Sequence, residues 1–585
     1  MNLILTIVAF ILLLTAQSTY ATTTDIKQIV ESKFQPLIER SQSKEKRYQS
    51  ILVGVVTPFE TQIIPLGTLT DKGDVATGTT IFEIGSITKG FLGLLLADES
   101  IKGRLDLDQP YNSKSLLKLP NYNGKEITWR NLAQHTAGFP RIPNNLKPVN
   151  PFQPYVDYDL NKLESFLKTF QLQIEPGTKS DYSNLSAGLS GYGLEQLNKK
   201  TLEQLFRDAF LDKLFLNDTR IMLTDEQTSR MAPVFLNGDP VEPWQWKNTS
   251  VLQGAGALRS TMQDMTTLLK TMMGLMTQDH MPMIVAATKP TFDKNKTSQL
   301  GLFWNRLKAE NIIWHNGGTY GSQSFIGYDP DQLVGIVVLS NTIIIDEQGV
   351  DPKIDYASIS AIQKIASSLK MNKPIKVLKD YDTEINRLIA EFEKTPADFR
   401  DKKWVQLKLA HMFDIDQYMR RFFTKAEDQG FTDTEMNFFH KGSDRRSYMI
   451  DWQNTQDLKA LIKTYGWFKI SEWGKPADKQ AWLLVQHADN EPELQKEVLD
   501  ILSKLYQLKE TEPANYAYLY DRVAMSFKDP SKRKLQRYGT QGSCVGPGKW
   551  EPHPIEDAVN VDKRRAEVGL VPLQEYTDGF KNICR

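Results

Sequence analysis

The 585 residues exceed what one compact core usually organises, so two or more domains are expected. With 40% hydrophobic residues, 24% charged residues and eleven Trp, the composition is that of a folded chain. Its 71 basic and 71 acidic residues cancel, which removes the electrostatic case for nucleic acid or an anionic membrane surface as the main partner.

Residues 1–21 read as a signal peptide. Leu3 to Leu14 form an apolar block too short for a membrane span, and Thr19-Tyr20-Ala21 then supplies small residues at the two positions a signal peptidase reads. No Lys or Arg precedes the block, so an uncleaved anchor is the other reading. The expectation is a periplasmic or secreted protein without stable membrane association after cleavage.

From about Ser50, "ILVGVVTP" and "TQIIPLGTL" read as two strands joined by a turn containing Pro58. "KGFLGLLLADESI", from Lys89, places apolar residues at helical spacing. Strands return near Ile312 in "NIIWHNGG", "SQSFIGYDP" and "LVGIVVLSN", and the helical pattern "YASISAIQKIASSLK" closes the region. Strands at both ends with helical material between them predict one sheet flanked by helices, with an inserted helical lobe: an α/β (α+β) domain over 22–370. The charged stretch 371–401, with Pro374 and Pro396, reads as a linker, and 402–585 as a mainly α-helical domain. Cys544 and Cys584 are the only cysteines, and in an exported chain they suggest a disulfide, two unpaired thiols being the alternative. With so few Cys and no HExxH, no metal or cofactor is expected.

"FEIGSITKGF" sets Ser86 three residues before Lys89. The same spacing occurs at Ser41/Lys44, Ser43/Lys46, Ser115/Lys118, Ser165/Lys168, Ser367/Lys370 and Ser531/Lys534, so spacing alone selects nothing. Context does. Ser86 follows the strand-like Ile81–Ile84 and Gly85 and precedes a strongly apolar helix. There the two side chains share a face, the helix N-terminus disfavours an ammonium, and burial depresses a lysine pKa, which is what a general base requires.

"FEIGSITKGFLGLLLADESIKGRLDLDQP" resembles the nucleophile segment of the class C β-lactamase-like serine hydrolases, a family of β-lactamases, DD-peptidases and esterases. "WRNLAQHTAGFP", "SDYSNLSAGLSGYGLE", "GAGALRSTMQDM" and "WHNGGTYG" resemble its later segments in order, from about Ile26 to Lys370. The resemblance implies an antiparallel sheet flanked by helices plus an all-helical lobe. It also implies that Ser86 attacks a carbonyl, that Lys89 and Tyr182 act as a coupled base and then protonate the leaving group, and that His315 stands in the third motif. Asn184, Asn316, Gly317 and Gly318 would meet the substrate, with the oxyanion held by the N–H groups of Ser86 and Gly318. His135 reads as structural.

One departure narrows the expected substrate. The family's β-lactamases carry Lys-Thr/Ser-Gly in the third motif, and this chain has no such tripeptide. His315 is mostly neutral near pH 7 if unperturbed, and Asn316 replaces a hydroxyl. The favoured reading is an exported hydrolase of a small-molecule or peptide ester or amide, D-amino-acid and peptidoglycan-derived ones included, whose rate rises as His315 loses its proton unless the substrate carries a carboxylate. A β-lactamase, and a non-catalytic cell-wall binding or sensor protein, are the alternatives. In the C-terminal part, "QHADN", "YDR", "LQRYGTQG" and "DKRR" place His487, Asp489, Asp521, Arg522, Arg564 and Arg565 among apolar residues. This part resembles a bacterial domain of unknown function. An ion-paired network, an anion-binding site and a second enzyme are all compatible with it.

Overall fold

The computed structural model describes residues 23–39, 48–115, 117–526 and 533–584. The expected signal segment, 1–21, lies outside the described residues. The chain divides into two units, one of residues 1–273 and 283–371, the other of 274–282 and 372–585.

The first unit is built on an eight-stranded antiparallel sheet. Its order is Thr61–Gly67, Ser50–Val56, Val334–Ser340, Gln323–Asp329, Ile313–Gly318, Asn305–Leu307, Ser298–Leu300 and Phe292–Asp293. Ser50–Val56 pairs with Val334–Ser340, so the two ends of the domain sequence meet in the sheet as its second and third strands. Both strands are buried along their whole length and read as continuous apolar runs rather than alternating ones. Helices Thr23–Glu39 and Lys353–Leu369 pack together, and Met262–Met272 packs on strands Ser50–Val56 and Val334–Ser340. The inserted lobe carries helix Asn184–Asn198 among shorter helices.

The second unit is mainly helical, with long helices Asn372–Glu393, Lys402–Ala426 and Asp433–Tyr465 and a core containing Trp404, Leu458, Trp467 and Val498. The stretch expected to be a linker is mostly helix. Pro374 falls in its first turn, where a missing N–H costs no helical bond, and Ile375, Leu378, Tyr381 and Ile385 form a buried stripe at helical spacing. Near the C-terminus, where the sequence loses periodicity, a hairpin of Gly542–Gly546 and Lys549–Pro552 forms, and Cys544 is disulfide-bonded to Cys584. Among the described residues no helix is long and apolar enough to cross a membrane, and no acidic, His and Cys cluster could hold a metal ion.

Candidate active site

Strand Ile81–Glu83 pairs with Arg259–Thr261 and leads through Gly85 into Ser86, the N-cap of helix Ile87–Ile101. Thirteen consecutive residues of that helix, Ile87 to Glu99, are buried, so the apolar run after Ser86 is driven into the core and takes Lys89 with it. Lys89 is fully buried. Its Nζ lies 3.0 Å from Ser86 Oγ and donates to the carbonyl of Ala255 at 2.6 Å. Burial, with the nearby charge of Arg141, pushes the Lys89 amine well below the ordinary lysine value. A neutral amine can donate to Ala255 and still turn its lone pair to the Ser86 hydroxyl.

Two glycines let the serine turn approach the sheet. A Cβ on Gly317 would stand 2.0 Å from the Ile84 carbonyl, and one on Gly85, whose φ is +48°, would stand 2.7 Å from Gly318 N. Thr319 N–H donates to the Ser322 carbonyl at 3.0 Å. By the alternation of antiparallel pairing, Gly318 therefore turns its N–H away from Gln323–Asp329. Asn305–Leu307 pairs with strand Ile313–Gly318 only at Ile313 and Trp314, which leaves the Gly317–Gly318 edge open beside Ser86. Ser86 N–H, at a helix N-cap, is likewise outside the helical ladder.

Tyr182 comes from the loop before helix Asn184–Asn198. Its hydroxyl interacts with Ser86, its ring centroid lies 4.9 Å from Lys89 Nζ, and burial pushes its pKa up to about 12. Ser183 caps the helix by accepting from Ser186 N–H at 3.0 Å, which fixes Tyr182 just outside it and Asn184 at its first position. Asn184 Nδ2 donates to Tyr155 Oη at 2.9 Å, while Asn184 Oδ1 is buried without a partner.

Ser86, Tyr182, Asn184, Asn316, Gly317 and Gly318 line one cleft of about 440 Å³. Two further groups take different places. Lys89 stands behind the serine, and His315 is fully buried beside Trp304, with its Nδ1 2.6 Å from the Asn316 carbonyl. Burial and the Lys89 charge push His315 down to about 3, so the expected titration of this histidine near neutrality does not hold. His135 is structural: its Nδ1 accepts Ser183 N–H at 3.2 Å, and its ring lies 4.6 Å from that of Tyr182.

Several supporting residues had no motif to flag them. Glu83, inside the serine segment, accepts from Trp244 N–H at 2.7 Å and from Thr319 Oγ1 at 2.6 Å, tying the serine strand to two walls of the cleft. Asp355 accepts from Asn316 Nδ2 at 2.6 Å. Arg141 places its guanidinium 4.9 Å from the Tyr182 ring centroid.

In the second unit the polar clusters separate into two groups. Asp521 accepts from the N–H groups of Arg537 (2.8 Å), Tyr538 and Thr540 (2.8 Å), and Arg565 donates to the carbonyls of Tyr538 (2.6 Å) and Val571 (2.7 Å). Arg564 also spends its donors on backbone carbonyls, those of Arg537 and Glu556. These residues hold the C-terminal segment in place. His487 instead sits 2.8 Å from Asp416, beside Arg420 and Asp451, while Asp489 faces Arg522 at 3.6 Å.

Comparison with known proteins follows this division. The Beta-lactamase family model matches residues 63–348, and a family of unknown function, DUF6624, matches residues 404–583. The chain is 27% identical over 292 residues to unguisins hydrolase ungD' of Aspergillus campestris, covering 46% of this chain and 53% of that protein. It is 27% identical over 282 residues to protein flp of Staphylococcus aureus, covering 46% and 55%, and 29% identical over 215 residues to a beta-lactamase of Pseudomonas fluorescens, covering 36% and 54%. The chain thus spans about half the length of the curated relatives it matches. Among solved structures, the beta-lactamase/D-alanine carboxypeptidase of Yersinia pestis, complexed with citrate, superposes with a TM-score of 0.52 at 19% identity, covering 60% of this chain and all of that one. A class C beta-lactamase gives 0.50 at 21% identity, covering 59% and 97%.

Proposed function

We propose that the chain, whose residues 63–348 match the Beta-lactamase family model, is a serine hydrolase acting on an ester or amide through an acyl-enzyme. The observation that carries the proposal is Ser86 Oγ 3.0 Å from a fully buried Lys89 held toward its neutral form. In this reading the Lys89–Tyr182 pair removes the Ser86 proton as Oγ bonds to the substrate carbonyl carbon. The oxyanion is met by the N–H groups of Ser86 and Gly318. The bond to the leaving group then breaks, with a proton delivered through Tyr182, and water releases the acyl group from Ser86. Asn184 lines the cleft with Ser86 and Tyr182, and its carboxamide is suited to meet an amide next to the scissile carbonyl, which favours peptide-like substrates, D-amino-acid and peptidoglycan-derived ones included. A relative named as a hydrolase supports the same class. A neutral, buried His315 where the β-lactamases carry an ammonium counts against β-lactams as the main substrate.

Labelling by a fluorophosphonate and by a fluorescent penicillin, beside Ser86→Ala, tests the proposal. Ser86-dependent label is expected from the fluorophosphonate. No label on the wild type, or equal label on the variant, would leave the non-catalytic binding reading in its place. Export is part of the proposal, supported by the apolar Leu3–Leu14 block and by the Cys544–Cys584 disulfide. N-terminal sequencing of the protein from the producing cells' envelope or medium should begin at Thr22, and a cytoplasmic product beginning at Met1 would remove it.

A further inference from the structure

Of the residues that line the cleft, Arg141 alone is charged. It is held from behind: its own carbonyl accepts Asn184 N–H at 2.8 Å, and the Pro140 carbonyl accepts Ser183 Oγ at 2.7 Å. The loop is therefore pinned to the start of the helix that carries Asn184, while the guanidinium extends over the Tyr182 ring. Among the described residues no carboxylate pairs with it: the buried Glu83 is engaged by Trp244 and Thr319, and Asp355 by Asn316. The Arg141 charge instead helps to push the buried Lys89 amine toward its neutral form. The neighbouring wall is aromatic, with Tyr155, Trp244 and Tyr320 packed edge to face at centroid distances of 5.2 and 5.5 Å. A guanidinium on a fixed backbone, against an apolar wall and without an internal counter-ion, is built to receive an anion in a planar, two-point geometry.

We propose that Arg141 is a specificity-determining residue that receives a carboxylate on the acyl part of the substrate, next to the amide or carbonyl group met by Asn184. The proposal rests on the serine-hydrolase reading above. It assigns the substrate's negative charge to the loop before helix Asn184–Asn198, not to the strand bearing His315. Bound substrate then supplies the counter-ion that the cleft lacks.

Two p-nitrophenyl esters of equal length test this, the pentanoate and the glutarate hemi-ester, which differ by a carboxylate in place of a methyl group. Their kcat/KM values are each normalised to the ester's hydroxide-catalysed rate. The wild type should prefer the glutarate by about tenfold or more, the effect of one charged hydrogen-bonded contact. Arg141→Gln should bring the ratio to about one, and Arg141→Lys should keep part of the preference, as a point charge without the fork would. Because the ratio is taken within each variant, any effect of Arg141 on Lys89 cancels. The preference should also weaken as salt is raised. Fluorophosphonate labelling of Ser86 in each variant separates the two claims. Label with an unchanged ratio in Arg141→Gln, or a wild type that favours the pentanoate, would overturn the role of Arg141 alone. Absence of Ser86-dependent label would overturn the hydrolase reading and this inference with it.

Discussion

Asn316 Nδ2 donates to Asp355 Oδ2 at 2.6 Å, joining a cleft residue on the third-motif strand to a carboxyl on helix Lys353–Leu369. Burial pushes Asp355 up to about 7, and the Asn316 bond opposes that shift, while His315 one residue earlier is pushed down to about 3. Between these two residues, an inflection of kcat/KM near neutrality that does not come from the Lys89–Tyr182 base belongs to Asp355. Asp355→Asn should abolish it and His315→Gln should leave it in place; the reverse pattern would return the titration to His315. The stability signs differ too. The folded protein holds the Asp355 proton more tightly than the unfolded chain, so its contribution is full below about pH 4 and is lost as pH rises through about 7. The His315 contribution is full above about pH 6.5 and is lost as pH falls through about 3. Urea midpoints between pH 4 and 7 should therefore fall less with rising pH in Asp355→Asn than in the wild type.

Lys89 should be needed as a base and not as a structural element. Lys89→Met keeps the length and removes the amine, and should lower kcat by about 10²- to 10⁴-fold, the usual share of a positioned base. Lys89→Arg should be no better, because a guanidinium cannot give up its proton at working pH. Since the wild type buries an amine whose main partners are one carbonyl and one hydroxyl, the Met variant should melt at or above the wild-type temperature. Retained turnover in Lys89→Met would show that Tyr182 suffices.

The legible parts of the site are local ones. Ser86 and Lys89 lie three residues apart at one helix start, and the buried run from Ile87 to Glu99 is continuous in the sequence, so their shared face and burial follow from spacing. Gly317 and Gly318 could be anticipated from the motif, although the reason for Gly317 is a backbone approach to Ile84 from far along the chain. Arg141 and Asp355 were not legible. The first reaches the cleft because its carbonyl is tied to Asn184, the second because a helix packs against the sheet, and neither relation leaves a periodic trace. His315 was legible as a motif residue but not in its electrostatics, because a burial-driven shift depends on everything packed around the ring. The helix Asn372–Glu393 was hidden by its charge and by two prolines, one of which sits harmlessly in the first turn.

Gly317 offers a steric test of the serine turn. A methyl group there would meet the Ile84 carbonyl at 2.0 Å and Ser324 Oγ at 2.5 Å, and Ser324 Oγ itself donates to that carbonyl at 2.9 Å. Gly317→Ala must push the segment Ile84–Ser86 away from the Gly318 edge. It should cost about 1–3 kcal/mol of stability, as overpacking does. Because a misplaced oxyanion site can cost about 10²-fold or more, acylation of Ser86 should slow by more than the stability loss explains. Labelling kinetics read below the variant's melting temperature separate the two. Wild-type labelling rates in a destabilised Gly317→Ala would mean that the glycine serves packing alone.

The Cys544–Cys584 bond closes a segment with a sequence separation of 40, which also contains the hairpin and the Arg564 and Arg565 contacts to backbone carbonyls. Chain entropy puts the effect of such a closure at roughly 4 kcal/mol. Cys544→Ser should lower the denaturant midpoint of the helical unit by about that amount divided by its m-value. The serine site is built from residues of the first unit, so Ser86 labelling in the variant should persist at the wild-type rate until that unit itself unfolds. If labelling is instead lost together with the transition of the helical unit, the two cores do not unfold independently. In that case Cys544→Ser acts on the active site through folding alone, and a Cys544→Ser/Cys584→Ser double variant should lose no more than the single one.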